Sequence, residues 1–433
     1  MSDNTPQKNG RKITVDDLAN PMRWPRLFVK VFQSYWLATA TLVFLTLITL
    51  FGTYYQVDYG LKAAEDKYFH SWFLVHELGL FGGTVPLPLP GGLLLMVLLT
   101  LNLMVGAMIK VKKRSAGIGM LIAHGGMIML LVGSLLTHVK AVDGNMALFE
   151  GESDDKFQSY HEWQIEIIPV AEDGSAETAW VIPDDEFAHL KPSQSRTFSS
   201  DDVPFSFTVT GYLKNSIPVV ASAPVTSMPQ FKDRFGPPVG GYVLMQREPE
   251  IQAEQNLSGM YVAFSGAVEE TSQAILWADA SDGRPVPFTV RTLEGQRYAV
   301  QLRRKSWEVP FVVRLEDFRK EDHAGTAMAR AFESTITKIE DGVEEQIEIK
   351  MNEPLRHRGY TFFQASWGPP KAGPNDRLFS VFAVKKDPGD QWPLISLFVT
   401  TVGLCLHFVL KFTGFLNKMA KREAKRAGSP EIA

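Results

Sequence analysis

Long uncharged apolar runs stand at both ends of this chain, and a polar stretch of about 250 residues separates them. A helix that crosses a bilayer needs roughly 20 mostly apolar residues, since each adds about 1.5 Å against a hydrocarbon core about 30 Å thick. The runs 36–53, 91–109 and 117–137 meet this with no Asp, Glu, Lys or Arg. The run 393–412 meets it with one lysine near its end. The pattern predicts three transmembrane helices within 35–139, joined by an outside loop over 54–90, and a fourth over 391–412. The polar middle dilutes these runs, so whole-chain mean hydropathy is near neutral and does not reveal them.

Between the runs, from 140 to 390, the period changes. Short alternating stretches at 163–168, 205–212, 242–245, 261–264, 311–318, 347–351 and 360–364 are broken by Gly, Pro, Asp and Asn. That spacing predicts a large, mainly antiparallel β domain, a sandwich or barrel-like arrangement of one large or two small units. The Pro- and Gly-rich segments 219–240 and 368–376 read as loops.

Charge sets the orientation. Lys8, Arg11, Lys12, Arg23, Arg26 and Lys30 precede the first run, and Lys110, Lys112, Lys113 and Arg114 join the second to the third. Lys411, Lys418, Lys421, Arg422, Lys425 and Arg426 follow the last. With four spans all three clusters fall on one side, which the positive-inside rule makes cytoplasmic. The expected layout is a basic cytoplasmic arm at 1–34, the β domain outside, and a basic cytoplasmic tail at 413–433. More than thirty mostly polar residues precede the first run and no small-residue cleavage site follows it, so a retained anchor is expected. The formal charge of −4 hides this asymmetry, and nothing in the basic clusters asks for nucleic acid.

The only cysteine is Cys405, inside the last run. One thiol excludes an internal disulfide and a Cys-x-x-Cys relay, and without Cys-x-x-Cys-His the chain carries no covalent c-type haem of its own. No nucleophile triad, zinc spacing or phosphate loop stands out, and no self-contained catalytic site is expected. His323, His357 and the pairs Asp184–Asp185 and Asp201–Asp202 read as loop and solvated positions.

His124 is the candidate site residue. It lies roughly 10 Å into the third run by helical rise, where a low-dielectric interior favours neutral imidazole with a lone pair for a metal or haem iron. Gly125 and Gly126 follow it. Met120 and Met127, with Gly117, Leu121, Ile128 and Leu131, share its face and form a wall suited to a flat apolar ligand. The alternative is a hydrogen bond across a helix interface, with the glycines serving close packing. His407 reads as a helix-packing residue, and Cys405, two positions away, points to nearly the opposite side. His70 and His76 flank a segment whose Phe69, Trp72, Phe73 and Leu80 suggest a helix lying on the outer membrane surface.

A set of short motifs adds to this. LEDF at 315–318, Gly325-Thr326, FES at 332–334, MNEPLRHRGYTFFQASW at 351–367 and DPG at 387–389 join GMLIAHGGMIMLLVGSLL in the third run and LFEGES at 148–153. Together they resemble the ResB (CcsB) family of cytochrome c biogenesis proteins. The resemblance implies a bacterial inner-membrane subunit of the two-component System II haem-attachment machinery. Such a subunit works with a polytopic CcsA/ResC-like partner to move haem b outward and present it to apocytochrome c. Family members use a histidine in an N-terminal span as haem ligand, and His124 is the matching residue. The chain lacks the partner's Trp-Trp-Asp signature, so thioether formation is expected in the partner, with no enzymatic activity in this chain alone. Two other readings fit the polar pattern: a cofactor-free scaffold or sensor binding an envelope partner, and, more weakly, a transporter.

Overall fold

The structure, a computed structural model, describes residues 24–80, 83–109, 117–170, 180–191, 193–222, 234–269, 273–278, 287–323, 325, 329–369 and 377–427. It divides into two compact units, one of Met1–Ala141 with Pro388–Ala433 and one of Val142–Asp387.

The first unit is helical. A short helix, α1 (Trp24–Phe32), leads to α2 (Tyr35–Tyr59), whose start is capped by Ser34 Oγ accepting from Trp36 N at 3.2 Å. Gly60, at φ 85°, breaks α2, and the chain turns through Leu61–Ala64 and a π-helical turn at Glu65–Phe69. A hairpin follows, β1 (Phe73–Leu80) and β2 (Gly83–Pro90). Then come α3 (Gly92–Asn102), continued by π turns over Leu103–Ile109, and α4 (Ile118–Lys140). The last helix is α5 (Trp392–Ala427). Ile48, Tyr68, Leu74, Leu89 and Leu95 form a small core that ties α2, the turn, the hairpin and α3 together.

One expectation changes here. The segment read as a surface helix is the β1 strand, paired with β2 in the register Phe73↔Pro90, Val75↔Pro88 and Glu77↔Pro86. Proline lacks the N–H that a ladder needs, and alternate prolines place that loss on one edge of β2. Pairs such as His76↔Leu87 then keep their hydrogen-bonding groups. The loop expected at 54–90 is accordingly the end of α2, a helical turn and a hairpin. The span count is met in part: α2, α4 and α5 are long and apolar enough to cross a membrane. The run 91–109 folds as the shorter apolar α3 continued by π turns.

Small residues hold α4 to α5. Gly119, Ala123, Gly126 and Gly133 are the buried positions of α4. Added Cβ atoms on Gly119, Gly126 and Gly133 would meet His407, Thr400 and Trp392 respectively. The partners descend in sequence as the glycines ascend, so the helices run antiparallel. Close backbone approach lets dispersion hold helices together where the solvent is itself apolar.

The strands of the second unit pair antiparallel among the described residues, as the alternating pattern predicts. Its largest sheet is built on two long strands, β4 (Ser153–Val170) and β14 (Arg297–Asp322). The sheet continues on one side through β15 (Ala329–Glu340) and β16 (Val343–Lys350). On the other lie β3 (Val142–Phe149), β19 (Phe379–Lys386), β18 (Tyr360–Gly368) and β17 (Leu355–His357). β5 (Trp180–Pro183) pairs with β4, and β13 (Phe288–Arg291) with β14. A four-stranded sheet contains β6 (Ser195–Phe198), β7 (Phe205–Leu213), β11 (Gly259–Gly266) and β12 (Gln273–Trp277). A three-stranded one contains β8 (Ser216–Val220), β9 (Arg234–Val239) and β10 (Tyr242–Gln246). Thus part of the segment read as loop at 219–240 is strand, and 223–233 lies outside the described residues.

Two apolar cores fill this unit. One gathers Ile165, Ile167, Phe207, Val209, Phe264, Val300 and Leu302. The other gathers Phe157, Phe311, Val313, Leu315, Ile336, Phe362 and Phe382. β4 and β14 contribute to both, so the two cores share one backbone frame.

Candidate functional site

The histidines of the helical unit fall into distinct environments. His124 sits half-buried in the first half of α4, on the turn after Met120. Its Nδ1 lies 2.8 Å from the Met120 carbonyl oxygen, an i to i−4 contact within the helix. A carbonyl only accepts, so Nδ1 carries the proton and Nε2 keeps its lone pair. Among the described residues Nε2 has no hydrogen-bond partner.

The residues named with His124 divide between two faces. Met120 and Met127 are exposed at 37% and 39%, and a Cβ on Gly125 would meet nothing within 4 Å. These three leave open apolar surface beside the imidazole. Gly126 belongs to the seam instead, where a Cβ would fall 2.8 Å from Thr400 N. The close-packing reading of the glycines therefore holds for Gly126, while Gly125 lies on the open side of the helix.

His407 lies in that same seam beside Gly119, and its buried Nδ1 has no hydrogen-bond partner among the described residues. His124 occupies the side of α4 away from it. His76 is packed into the hairpin core. Its ring stacks on Phe51 with centroids 4.1 Å apart, and Tyr68 Oη lies 2.7 Å from its Nδ1. Burial, aided by nearby Lys67, pushes the His76 pKa below the usual imidazole value. His70 stands apart from His76 and meets His138, with ring centroids 4.5 Å apart. The sequence reading passes over His138; its one signal is a position in the last turn of α4. No group of three or more His, Cys, Asp or Glu could hold a metal ion among the described residues.

The motif-bearing part of the β unit is structural in its chemistry. Arg358 and Gly359, at φ 48° and 80°, turn β17 back onto β18, and Asp341 and Gly342, at 51° and 79°, do the same between β15 and β16. Two positive φ values in succession define the tight hairpin turn whose twist matches the strands it joins. Leu355, Tyr360 and Phe362 then enter the core. Gln364 closes a buried ring of hydrogen bonds. Ser334 Oγ lies 2.7 Å from Gln364 Oε1 and 2.9 Å from Ser380 Oγ, and Gln364 Nε2 donates to Ser380 Oγ at 2.8 Å. The His357 ring packs edge-on against Phe311 while its Nε2 lies 2.8 Å from Glu340 Oε2. That contact holds the Glu340 carboxyl below its usual range.

Residues 288–375, which contain these hairpins, match the model of the ResB-like family. This part of the chain is ResB-like. The match covers the LEDF, FES and MNEPLRHRGYTFFQASW motifs, so the resemblance seen in the sequence stands there. A match to this family points to a role of the cytochrome c biogenesis type, and the apolar helices fit association with a membrane. No curated protein matches the chain.

Proposed function

We propose that this chain is the ResB-type subunit of a cytochrome c haem-attachment complex, and that His124 is a haem ligand within the bilayer. The observation that carries the proposal is the Met120 carbonyl bond, which leaves Nε2 of a neutral imidazole available beside an open apolar face. Haem is here cargo. His124 would supply an axial nitrogen, while Met120, Gly125 and Met127 would offer an apolar surface to one side of the macrocycle. Gly126 would act from the seam, by fixing the helix that carries the ligand. The absence of exported thiols agrees with a subunit that positions haem and stays out of the thiol exchange.

In this reading α3 with its π turns is a fourth, short crossing beside α2, α4 and α5. Both termini are then cytoplasmic and the β unit lies on the outer side of a bacterial inner membrane. A CcsA/ResC-like polytopic subunit would complete the haem site and receive the apocytochrome c. The β unit would offer large sheet surfaces for docking.

The test is a visible spectrum of the full-length chain, purified alone and with its partner from haem-replete cells. A Soret band that His124→Ala removes, with the circular dichroism unchanged, supports haem ligation. Colourless wild-type complex would instead favour the cofactor-free scaffold.

A further inference from the structure

His70 and His138 both line a cavity of about 310 Å³ in the helical unit. Its walls come from α3, through Leu93, Met96, Val97 and Leu101, and from α4, through Leu131 and Leu135. Two hydroxyls also line it, but neither is free. Thr100 Oγ1 donates to the Met96 carbonyl at 2.8 Å and Ser134 Oγ to the Leu130 carbonyl at 2.9 Å. The slot is thus apolar along its walls and polar only at the two imidazoles.

The imidazole pair has a defined polarity. Asp66 Oδ1 lies 3.4 Å from His70 Nδ1 and 3.0 Å from Lys62 Nζ. A carboxylate only accepts, so in this contact a proton sits on His70 Nδ1, and in the neutral ring the lone pair is on Nε2. Among the described residues, His70 Nε2 and both His138 nitrogens have no hydrogen-bond partner. His138 lies in the last turn of α4, where a membrane helix reaches the interface. An amphipathic ligand with its ring at that level and its tail between α3 and α4 satisfies both parts of the slot.

We propose that this cavity binds the head of a lipid-soluble hydroquinone, with His70 accepting a ring hydroxyl proton and His138 hydrogen-bonding to the same edge. The volume is at the lower end of ligand pockets, enough for one substituted ring and the start of a tail. Other occupants fit less well. A metal would need a third ligand that the described residues do not supply. Two imidazoles already in ring contact leave no space for a macrocycle between them. A phospholipid acyl chain would leave both imidazoles unused, and a phosphate head would meet Asp66, which already engages Lys62. The proposal does not depend on haem binding at His124.

The experiment uses the full-length chain in phosphatidylcholine nanodiscs, titrated with decyl-benzohydroquinone under reducing conditions and compared with empty discs. Saturable binding near one per chain is expected, weakened by about tenfold or more in the His70→Leu/His138→Leu double variant, since two hydrogen bonds are lost. Leu131→Trp, which fills the slot from α4 two helical turns away from His138, should also lose binding. His124→Ala should retain it, so that failure of haem ligation and failure of this proposal read out separately. Uptake no greater than in empty discs, or equal affinity in wild type and both slot variants, would mean that the cavity holds only bulk lipid and would overturn the assignment.

Discussion

Gly126 of α4 packs directly on Thr400 of α5, and a Cβ at that glycine would lie 2.8 Å from the threonine backbone nitrogen. Its neighbour Gly125 faces open space. The two glycines therefore predict opposite responses to the same change. Gly126→Ala forces two backbones apart and should destabilise by about 1–3 kcal/mol, as overpacked cores do. Gly125→Ala should be neutral or slightly stabilising, through helix propensity. Thermal unfolding of the detergent-solubilised chain distinguishes them, and equal melting temperatures would contradict the seam.

His124 should behave as a ligand and not as a packing residue. His124→Ala is expected to abolish the Soret band of the purified complex and leave its melting temperature almost unchanged. Adding imidazole should restore part of the absorbance, because the removed group is a nitrogen donor at an open face. An unaltered spectrum in the variant would place the iron ligand elsewhere.

Gln364 is expected to matter for stability only. Gln364→Leu leaves the buried Ser334 and Ser380 hydroxyls short of partners and should cost about 1–3 kcal/mol. Denaturant unfolding of the purified full-length chain measures this, and the Soret band should persist at temperatures where the variant stays folded. A loss of haem without loss of stability would show that this motif residue does more than pack.

Alkaline unfolding should report on Tyr212. Burial raises its pKa to about 12 from the ordinary value of 10.0, although the Ser258 hydroxyl 2.6 Å away opposes the shift. The folded state therefore holds this proton more tightly than the unfolded state. The resulting stability is fully present below pH 10.0 and is lost as the pH rises through about 12. Tyr212→Phe cannot titrate, so its stability should fall less steeply across that window. Fluorescence-monitored urea unfolding at several pH values gives the slopes, and parallel slopes would refute the assignment.

How much of this was readable in the sequence depended on how locally each signal was encoded. α2, α4 and α5 follow from uninterrupted apolar runs, and 205–212 and 261–264 announce their strands through alternation that burial enforces. The stretch from Phe73 to Leu80 was misread because its aromatics outweighed its period of two. Its partner strand was the clue, since Pro86, Pro88 and Pro90 fit one edge of a hairpin and do not suit a helix. The shortening of α3 had no composition signal at all; hydropathy does not distinguish π turns from α turns. At the candidate site, the open face of His124 follows from helical spacing. The division of labour between Gly125 and Gly126 does not, because it depends on where α5 lies. The meeting of His70 and His138 joins residues 68 positions apart and is a tertiary fact.

β4 pairs along much of its length with β14, and Glu166 accepts a hydrogen bond from Gln301, 135 positions later. A ribosome adding roughly 5–20 residues per second leaves β4 without that partner for about 7 to 27 seconds. β5 arrives early and shields one edge around Gln164–Ile167, but the opposite edge stays bare until β14 emerges. The nascent segment then needs protection from aggregation over the interval, and the assembly of this sheet becomes a kinetic problem of its own.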